Sequence, residues 1–140
     1  MTELTAEARV AGLAGRDRFM ALLGAELVEA ETGMAMVRAV VHAEHINFNG
    51  TCHGGFIFAL ADTAFGLASN SHGAVAIGID AHVAYLCAAS EGDALTATAK
   101  EVSRTRRIGT YDIAVQRTDG RQVARFTGTV FIPPEENTRT

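Results

Sequence analysis

The sequence predicts an α+β fold in which one antiparallel β-sheet wraps around a single long helix. A length of 140 residues with 48% hydrophobic and 20% charged residues fits one domain, spanning 1–140. The run from Phe56 to Ala68 is apolar on every side of a helical wheel, which is typical of an enclosed helix. Turn-connected strand candidates before and after this run favour antiparallel neighbours in one sheet.

The first 24 residues predict a helical extension, 1–24, ahead of the sheet. Residues 5–23 are rich in Ala, Leu, Glu, Arg and Met, which are helix formers. Isolated glycines weaken a helical pattern, so breaks are expected near Gly12 and Gly15. At the other end, Pro133 and Pro134 terminate the last strand, and residues 133–140 are expected to form a polar tail.

Strand-like segments make up most of the remaining chain. Leu95, Ala97 and Ala99 alternate with polar neighbours, which is the period of a strand with one buried face. Asp119 followed by Gly120 is a strong hairpin signal between the last two strands, and residues 90–93 predict another turn. The predicted strands are 25–31, 34–41, 74–88, 94–103, 111–116 and 122–132, and the apolar helix lies at 54–71, between the second and third of them.

Composition and charge exclude several classes of protein. The formal net charge of −4 argues against a general nucleic-acid surface. The N-terminal segment lacks the basic stretch and apolar run of a signal peptide. No apolar run reaches the roughly 20 residues that a membrane helix needs. Cys52 and Cys87 do not make a disulfide framework. We therefore expect a cytoplasmic protein with no membrane and no nucleic acid among its partners.

Asp62 is the residue from which a function can be inferred, because it is the single ionisable group in the apolar run 56–68. A buried carboxylate costs several kcal/mol unless it is paired, hydrogen-bonded or protonated, and such perturbed groups cluster at functional sites. Just upstream, His53-Gly54-Gly55 begins the helix with little side-chain cover over its free N–H groups. The combination predicts a catalytic site, although an acid satisfied by backbone groups stays open as the alternative.

The spacing of Gly54 and Asp62 constrains how they can act together. They lie eight residues apart on one predicted helix, which is about 12 Å along its axis. One carbonyl group cannot contact both. If both serve the same substrate, they come from two chains, and a two-fold dimer with antiparallel helices supplies two equivalent sites.

Several short motifs surround these residues. Asn47 is followed by His53-Gly54-Gly55 and then by Leu-Ala-Asp-Thr-Ala at 60–64. Further motifs are Ala-Ser-Asn at 68–70, Gly-Asp-Ala-Leu-Thr-Ala-Thr-Ala at 92–99 and Gly-Thr-Tyr-Asp-Ile at 109–113. In this combination the chain resembles the hotdog-fold thioesterases, and within them the PaaI-like group of phenylacetate degradation. The resemblance spans residues 27–132.

The resemblance implies an acyl-CoA thioesterase that hydrolyses aryl or arylacetyl thioesters to a free acid and coenzyme A. Asp62 would be the catalytic carboxylate, as nucleophile or general base. The Gly54 N–H would bind the thioester oxygen, while Asn47 and His53 would orient substrate or water. A helix-start N–H suits this role, because it can stabilise the charge that develops on a carbonyl oxygen under attack.

Further features follow from the same resemblance. Gly55 and Thr63 adjoin the catalytic residues and would contact the substrate. Gly78 stands where some relatives carry Ser or Thr, so that position offers no hydroxyl. No cofactor is implied, because coenzyme A is part of the substrate. The chain would form a homo-oligomer with intersubunit active sites, as a dimer or a dimer of dimers.

Arg104, Arg106 and Arg107 form the densest basic cluster of this acidic chain. Two interpretations stay open. A short charge run usually marks a solvated strand end. Alternatively, the cluster binds the phosphates of coenzyme A, for which guanidinium groups are well suited.

Alternatives also stay open for the other candidate residues. Cys52 at a helix start is a possible nucleophile, although no orienting third group is evident. Asn47 is a common turn residue, and His53 is as readily a core histidine. No metal site is expected, because the histidines lack HExxH spacing or cysteine pairs; they stand at positions 42, 45, 53, 72 and 82.

Three functions compete with aryl-CoA hydrolysis. One is a thioesterase for medium-chain acyl groups, and another is a hotdog hydratase or dehydratase. The third is a non-catalytic module that binds acyl-CoA. Asp62 argues against the last, because a binding module gains little from a charge on an apolar helix.

Overall fold

Residues 4–135 are described by a computed structural model in which a six-stranded sheet packs on one long helix. The predicted α+β class is confirmed. Within this part of the chain, no helix is both long and apolar enough to span a membrane. Of the predicted polar tail, residues 136–140 lie outside the described residues. The helices are α1 (Ala6–Arg16), α2 (Arg18–Leu23) and α3 (Gly54–Ser69), and the strands are β1 (Glu26–Glu31), β2 (Met34–Val40), β3 (Ile77–Tyr85), β4 (Ala94–Arg104), β5 (Ile108–Arg117) and β6 (Gln122–Phe131).

The N-terminal extension is helical, but it breaks at a different residue from the predicted ones. Helix α1 continues through Gly12 and Gly15, so the predicted breaks there are wrong. The break falls at Asp17, whose backbone is extended and whose carboxylate accepts a hydrogen bond from the Met20 N–H at 2.9 Å. A side-chain cap of this kind starts a new helix, whereas an isolated glycine only lowers helix propensity.

The sheet has the strand order β1-β2-β4-β5-β6-β3, and every neighbouring pair is antiparallel. The predicted hairpins β1–β2 and β5–β6 are confirmed, and Gly120 takes the positive φ of +87° in the second turn. The turn at 90–93 does not join neighbouring strands, because β3 pairs with β6 and β4 pairs with β2. Helix α3 carries the chain across the sheet, so β3 reaches the far edge and β2 is left free to pair with β4.

The core lies between the inner face of the sheet and one side of α3. Leu95, Ala97 and Ala99 of β4 are fully buried, which confirms the predicted alternation. On the helix, the Phe65 ring lies against the sheet where β6 has Gly128. A Cβ atom built on Gly128 would be 2.6 Å from the Phe65 ring. The absence of a side chain at this position therefore permits the close approach of helix and sheet.

The opposite side of α3 is not enclosed, contrary to the prediction. Gly55, Asp62 and Gly66 are exposed and lie along one outward-facing stripe of the helix. The sheet curves around the other side only, and α1 and α2 lie beside α3 without covering the stripe completely. The neighbouring edge strand β3 is also open, with Ile77 and Ile79 exposed by 52% and 58%.

We predict that Gly128→Ala lowers the free energy of unfolding by about 1–3 kcal/mol, because the new methyl group overpacks the core against Phe65. Denaturant unfolding measures the change. The control is Gly15→Ala, where no atom lies within 4 Å of the new Cβ. That variant should gain about 0.5–1 kcal/mol, as alanine is favoured over glycine in a helix. Wild-type stability of Gly128→Ala would contradict the packing argument.

Candidate active site

The start of α3 presents one backbone donor that is not already engaged. His53 is the N-cap, and its Nδ1 accepts a hydrogen bond from the Gly55 N–H at 2.8 Å. The His53 carbonyl accepts from the N–H groups of Phe56 at 3.0 Å and Ile57 at 3.4 Å. Among residues 4–135, the Gly54 N–H has no acceptor. The first turn therefore leaves this single N–H available to a ligand.

The helix cap formed by His53 explains why residue 55 is a glycine. A Cβ atom on Gly55 would lie 2.9 Å from the His53 Nδ1, closer than side chains approach. The alternative interpretation of His53 as a core histidine is wrong, because His53 is exposed at the helix start.

Asn47 organises the loop that leads to α3. Its Oδ1 accepts hydrogen bonds from the N–H groups of Asn49 at 2.9 Å and Thr51 at 3.2 Å. The loop is closed by the Asn47 N–H, which donates to the Thr51 carbonyl at 2.8 Å. These contacts agree with the interpretation of Asn47 as a turn residue. In the described part of the chain, its Nδ2 donates no hydrogen bond, so the amide nitrogen is still available to a ligand.

A hollow of about 390 Å³ lies beside Gly54. Apolar side chains of Ile57 and Leu86 and the ring of Tyr85 contribute to its wall. Cys52 and Cys87 also line it, but burial, with a smaller contribution from the charge of Asp93, raises the pKa of the Cys52 thiol to about 11. A thiol with this pKa is protonated near neutral pH, which makes Cys52 a poor nucleophile.

Asp62 faces outward from α3 into a second hollow, of about 460 Å³. The prediction that Asp62 is buried is therefore wrong for the single chain, where its side chain is exposed. Even so, the surrounding protein removes part of its solvation, and this desolvation raises the pKa of the carboxyl group. The nearby charge of Asp17 raises it further.

The wall around Asp62 comes partly from the N-terminal extension, whose contribution the sequence did not reveal. Leu13, Asp17 and Phe19 line this hollow together with residues of α3. The available signal was an aromatic residue, Phe19, in the helical extension, but a sequence pattern does not say which surface such a side chain faces. Thr63 also lines the hollow, although its hydroxyl donates to the Ala59 carbonyl at 2.8 Å and is engaged within the helix.

The chain does not bring Gly54 and Asp62 together. They are separated by about two turns of α3, roughly 12 Å along its axis, as the spacing predicted. The hollow beside Gly54 and the hollow beside Asp62 have no lining residue in common. The unengaged N–H therefore lies at one hollow and the carboxylate at the other.

The arginine cluster lies at the other end of the sheet from Gly54. Strand β4 begins close to the loop before α3, since Val41 pairs with Asp93, and Arg104 ends the strand about 33 Å away. The Arg107 guanidinium donates to the Ile132 carbonyl at 3.2 Å, so this arginine ties the β4–β5 turn to the chain just after β6. Arg104 and Arg106 are exposed. Within one chain, none of the three is part of the hollow beside Gly54.

Position 78 has a steric reason to be glycine. A Cβ atom on Gly78 would lie 3.2 Å from the Phe65 ring, so a larger residue there requires the ring to shift. The same ring makes the close contact with Gly128. The lack of a hydroxyl at position 78 is thus tied to the packing of α3 on the sheet.

Comparison with known proteins identifies the family. The model of the thioesterase superfamily matches residues 49–124, more than half of the chain, which contain α3 and the strands β3, β4 and β5. The acyl-coenzyme A thioesterase PaaI of Escherichia coli is 38% identical over 106 residues, covering 76% of this chain and 76% of that protein.

Solved structures agree with the sequence match. The E. coli PaaI structure covers 89% of this chain and 90% of its own, with a TM-score of 0.87 and 33% identity. The phenylacetic acid degradation protein PaaI of Thermus thermophilus is 42% identical and covers 84% of this chain and 100% of its own, with a TM-score of 0.81. A Streptococcus mutans protein bound to acetyl-CoA is 30% identical, with a TM-score of 0.76 over 81% of this chain and 91% of its own. The chain therefore belongs to the thioesterase superfamily, in the PaaI-like group of hotdog-fold enzymes, and is a thioester hydrolase.

Proposed function

We propose that this protein hydrolyses aryl- and arylacetyl-CoA thioesters at sites shared between two chains. The observation that carries the proposal is the pairing of one free N–H at Gly54 with one carboxylate at Asp62, on the same helix but in different hollows. Binding of acetyl-CoA by the S. mutans relative and the acyl-CoA activity named for E. coli PaaI support coenzyme A as the thiol part of the substrate.

Gly54 acts on the carbonyl oxygen. Attack on a thioester places negative charge on this oxygen, and a fixed N–H at the positive end of a helix dipole stabilises that charge. His53 and Asn47 orient the substrate or the attacking water through the nitrogens that the loop leaves free, Nε2 and Nδ2. Gly55 presents no side chain, which keeps the approach to the helix start open.

Asp62 acts on the carbonyl carbon by one of two routes. In the first, its carboxylate attacks the carbon, the C–S bond breaks and coenzyme A leaves as a thiolate, after which water hydrolyses the mixed anhydride. In the second, Asp62 takes a proton from a water molecule whose oxygen attacks the carbon directly, after which the C–S bond breaks and coenzyme A leaves as a thiolate. A carboxylate with a raised pKa is a stronger base, which suits both routes.

The second chain is required by the distance between the two groups. A two-fold axis that places two α3 helices side by side in opposite directions brings Asp62 of one chain toward Gly54 of the other. Two surfaces are free for this contact: the outward stripe of α3 and the edge strand β3 with its exposed isoleucines Ile77 and Ile79. We propose a dimer through these surfaces, and a dimer of dimers as the complete assembly.

The acyl group is assigned to the hollow beside Gly54. Its volume of about 390 Å³ exceeds the roughly 150 Å³ of an apolar cavity that holds benzene. Its wall is mainly apolar, with the aromatic ring of Tyr85 on one side. An aryl or arylacetyl group matches this size and chemistry.

The phosphates of coenzyme A are assigned to the cluster of Arg104, Arg106 and Arg107. Arg104 and Arg106 are exposed and extend from the β4–β5 turn. Because the cluster lies about 33 Å along β4 from the end of the sheet near Gly54, farther than one coenzyme A molecule extends, we assign the phosphate contacts to the arginines of another chain in the oligomer. Such contacts would contribute equally to ground state and transition state, and hence mainly to KM.

Asp62→Asn is predicted to reduce turnover of phenylacetyl-CoA by about a hundredfold or more, because the variant lacks a base or nucleophile. Release of free thiol, detected with a thiol reagent, measures turnover. The control is Asp112→Asn, which removes a half-buried acid from the outer face of β5 and should leave turnover unchanged. Turnover of Asp62→Asn close to wild type would exclude Asp62 from the mechanism.

The same variant is predicted to be at least as stable as the wild type at neutral pH. A raised pKa means that folding disfavours the ionised carboxyl, so above that pKa the charge lowers the free energy of unfolding. Asparagine removes this penalty. Loss of activity with undiminished stability separates a catalytic role from a structural one.

Cys52→Ala is predicted to keep activity within about twofold of the wild type, because a protonated thiol is not the nucleophile. The measurement is again thiol release from phenylacetyl-CoA, with circular dichroism to confirm folding. A well-folded but inactive variant would assign the chemistry to Cys52 and overturn the role of Asp62.

Mixed oligomers test the shared site. Gly54→Pro deletes the donor N–H, and proline is tolerated at the first position of a helix. This variant and Asp62→Asn should each be nearly inactive alone. In a heterodimer of the two, one site carries both defects and the other carries neither, so activity should return to at most about half of the wild type.

Gly54→Ala is the matched control, because it adds a Cβ at the same position, 3.1 Å from the Tyr85 ring, but keeps the N–H. It separates steric effects from loss of the donor. No recovery of activity in well-folded, demonstrably mixed oligomers would place the whole site within one chain.

A further inference from the structure

Tyr85, the last residue of β3, contacts the start of α3 through both its ring and its hydroxyl. The hydroxyl donates a hydrogen bond to the Gly54 carbonyl at 3.0 Å. A Cβ atom on Gly54 would lie 3.1 Å from the ring carbon Cζ and 3.2 Å from the hydroxyl oxygen. The ring thus occupies the space that a side chain at position 54 would need, although Tyr85 remains 51% exposed.

The orientation of the Gly54 N–H depends on two planar peptide units that meet at the Gly54 Cα. The first unit contains the His53 carbonyl and the Gly54 N–H. Its carbonyl is held by the N–H groups of Phe56 and Ile57, so its N–H points away from the helix. The second unit contains the Gly54 carbonyl, which accepts from the Tyr85 hydroxyl in addition to its place in the backbone ladder of α3, and the Gly55 N–H, which donates to His53 Nδ1.

The joint between these units is a glycine, which has the widest choice of φ and ψ. Restraint must therefore come from outside the residue. Tyr85 restrains the backbone of Gly54 through one hydrogen bond to its carbonyl and through contact of the ring near its Cα atom. Without the Tyr85 hydroxyl, the Gly54 carbonyl loses its hydrogen bond from a side chain.

We infer that Tyr85 is a positioning residue for the oxyanion donor, holding the Gly54 N–H in the direction that a thioester oxygen requires. The inference rests on the proposed function, in which Gly54 binds that oxygen. Preorganised donors stabilise developing charge because they need no reorientation during the reaction. Tyr85 therefore lowers the barrier without touching the reacting atoms.

Tyr85→Phe tests the inference, because it keeps the ring and removes only the hydroxyl. We expect kcat for phenylacetyl-CoA to fall about three- to tenfold, as for one neutral hydrogen bond, with KM changed by less than about twofold. Tyr85→Leu, which also removes the ring, should have a larger loss of kcat than Tyr85→Phe. An unchanged kcat in Tyr85→Phe, or a variant that does not fold, would overturn the positioning role.

Tyr111→Phe is the matched control. The Tyr111 hydroxyl donates to Glu101 Oε1 at 2.6 Å, near the end of the sheet that faces away from Gly54. Removal of this buried hydroxyl should lower Tm but leave kcat unchanged. If both tyrosine variants lowered kcat to the same extent, the effect of Tyr85→Phe would be a general loss of rigidity, and the inference would be wrong.

Infrared spectroscopy separates failure of this inference from failure of the proposed function. Phenylacetyl-CoA with a carbon-13 label in its carbonyl is bound to Asp62→Asn, which does not turn it over. Hydrogen bonding to the carbonyl oxygen lowers its stretching frequency relative to free substrate. We expect a smaller lowering in the double variant Asp62→Asn/Tyr85→Phe. No lowering in Asp62→Asn would refute Gly54 as the donor, whereas equal lowering in both variants would refute only the role of Tyr85.

Discussion

A single sheet can cover only one side of a helix, and this constraint determines where the functional groups of the protein lie. On the covered side, α3 approaches the sheet so closely that Phe65 occupies the place of a side chain at Gly128. On the uncovered side, the helix presents small residues and one acid, Asp62. The sheet leaves this second side open, and the hollow beside Asp62 lies there. Core packing and chemistry are therefore separated across the width of one helix.

The two ends of the proposed chemistry are built in different ways. The donor at Gly54 is held by the local cap of His53 and by one contact from a distant strand, the hydrogen bond from Tyr85 of β3. The carboxylate at Asp62 acquires its environment from distant segments, namely α1 and α2 with Asp17 and Phe19. A short motif thus supplies the donor and most of its contacts, whereas the surroundings of the carboxylate come from distant segments.

Features encoded by neighbouring residues could be predicted from the sequence. The hairpins, the long helix and the alternation in β4 all depend on contacts within a few residues or on one buried face. The site motif at 47–64 was also recognisable, because its residues are close together in the chain. The distance between Gly54 and Asp62 followed from helix geometry alone.

The features that the sequence did not predict correctly have a common physical cause. The break at Asp17 depends on competition between a side-chain cap and two weak helix residues, which propensity does not resolve. The place of β3 at the sheet edge depends on the path that α3 takes across the sheet. The exposure of Asp62 depends on which side of an all-apolar helix the sheet covers. Each requires knowledge of distant segments that one sequence does not supply.

The cap at His53 has a consequence for the proton on its ring. Because Nδ1 accepts the hydrogen bond of Gly55, the neutral imidazole must carry its hydrogen on Nε2. In this tautomer Nε2, the nitrogen available to a ligand, can donate a hydrogen bond but cannot accept one. Neutral His53 is thereby unable to accept a proton through Nε2, and protonation of Nδ1 would remove the acceptor for Gly55. The helix cap thus fixes the tautomer of the neutral imidazole, and in the proposed mechanism the carboxylate of Asp62 is the group left to accept a proton.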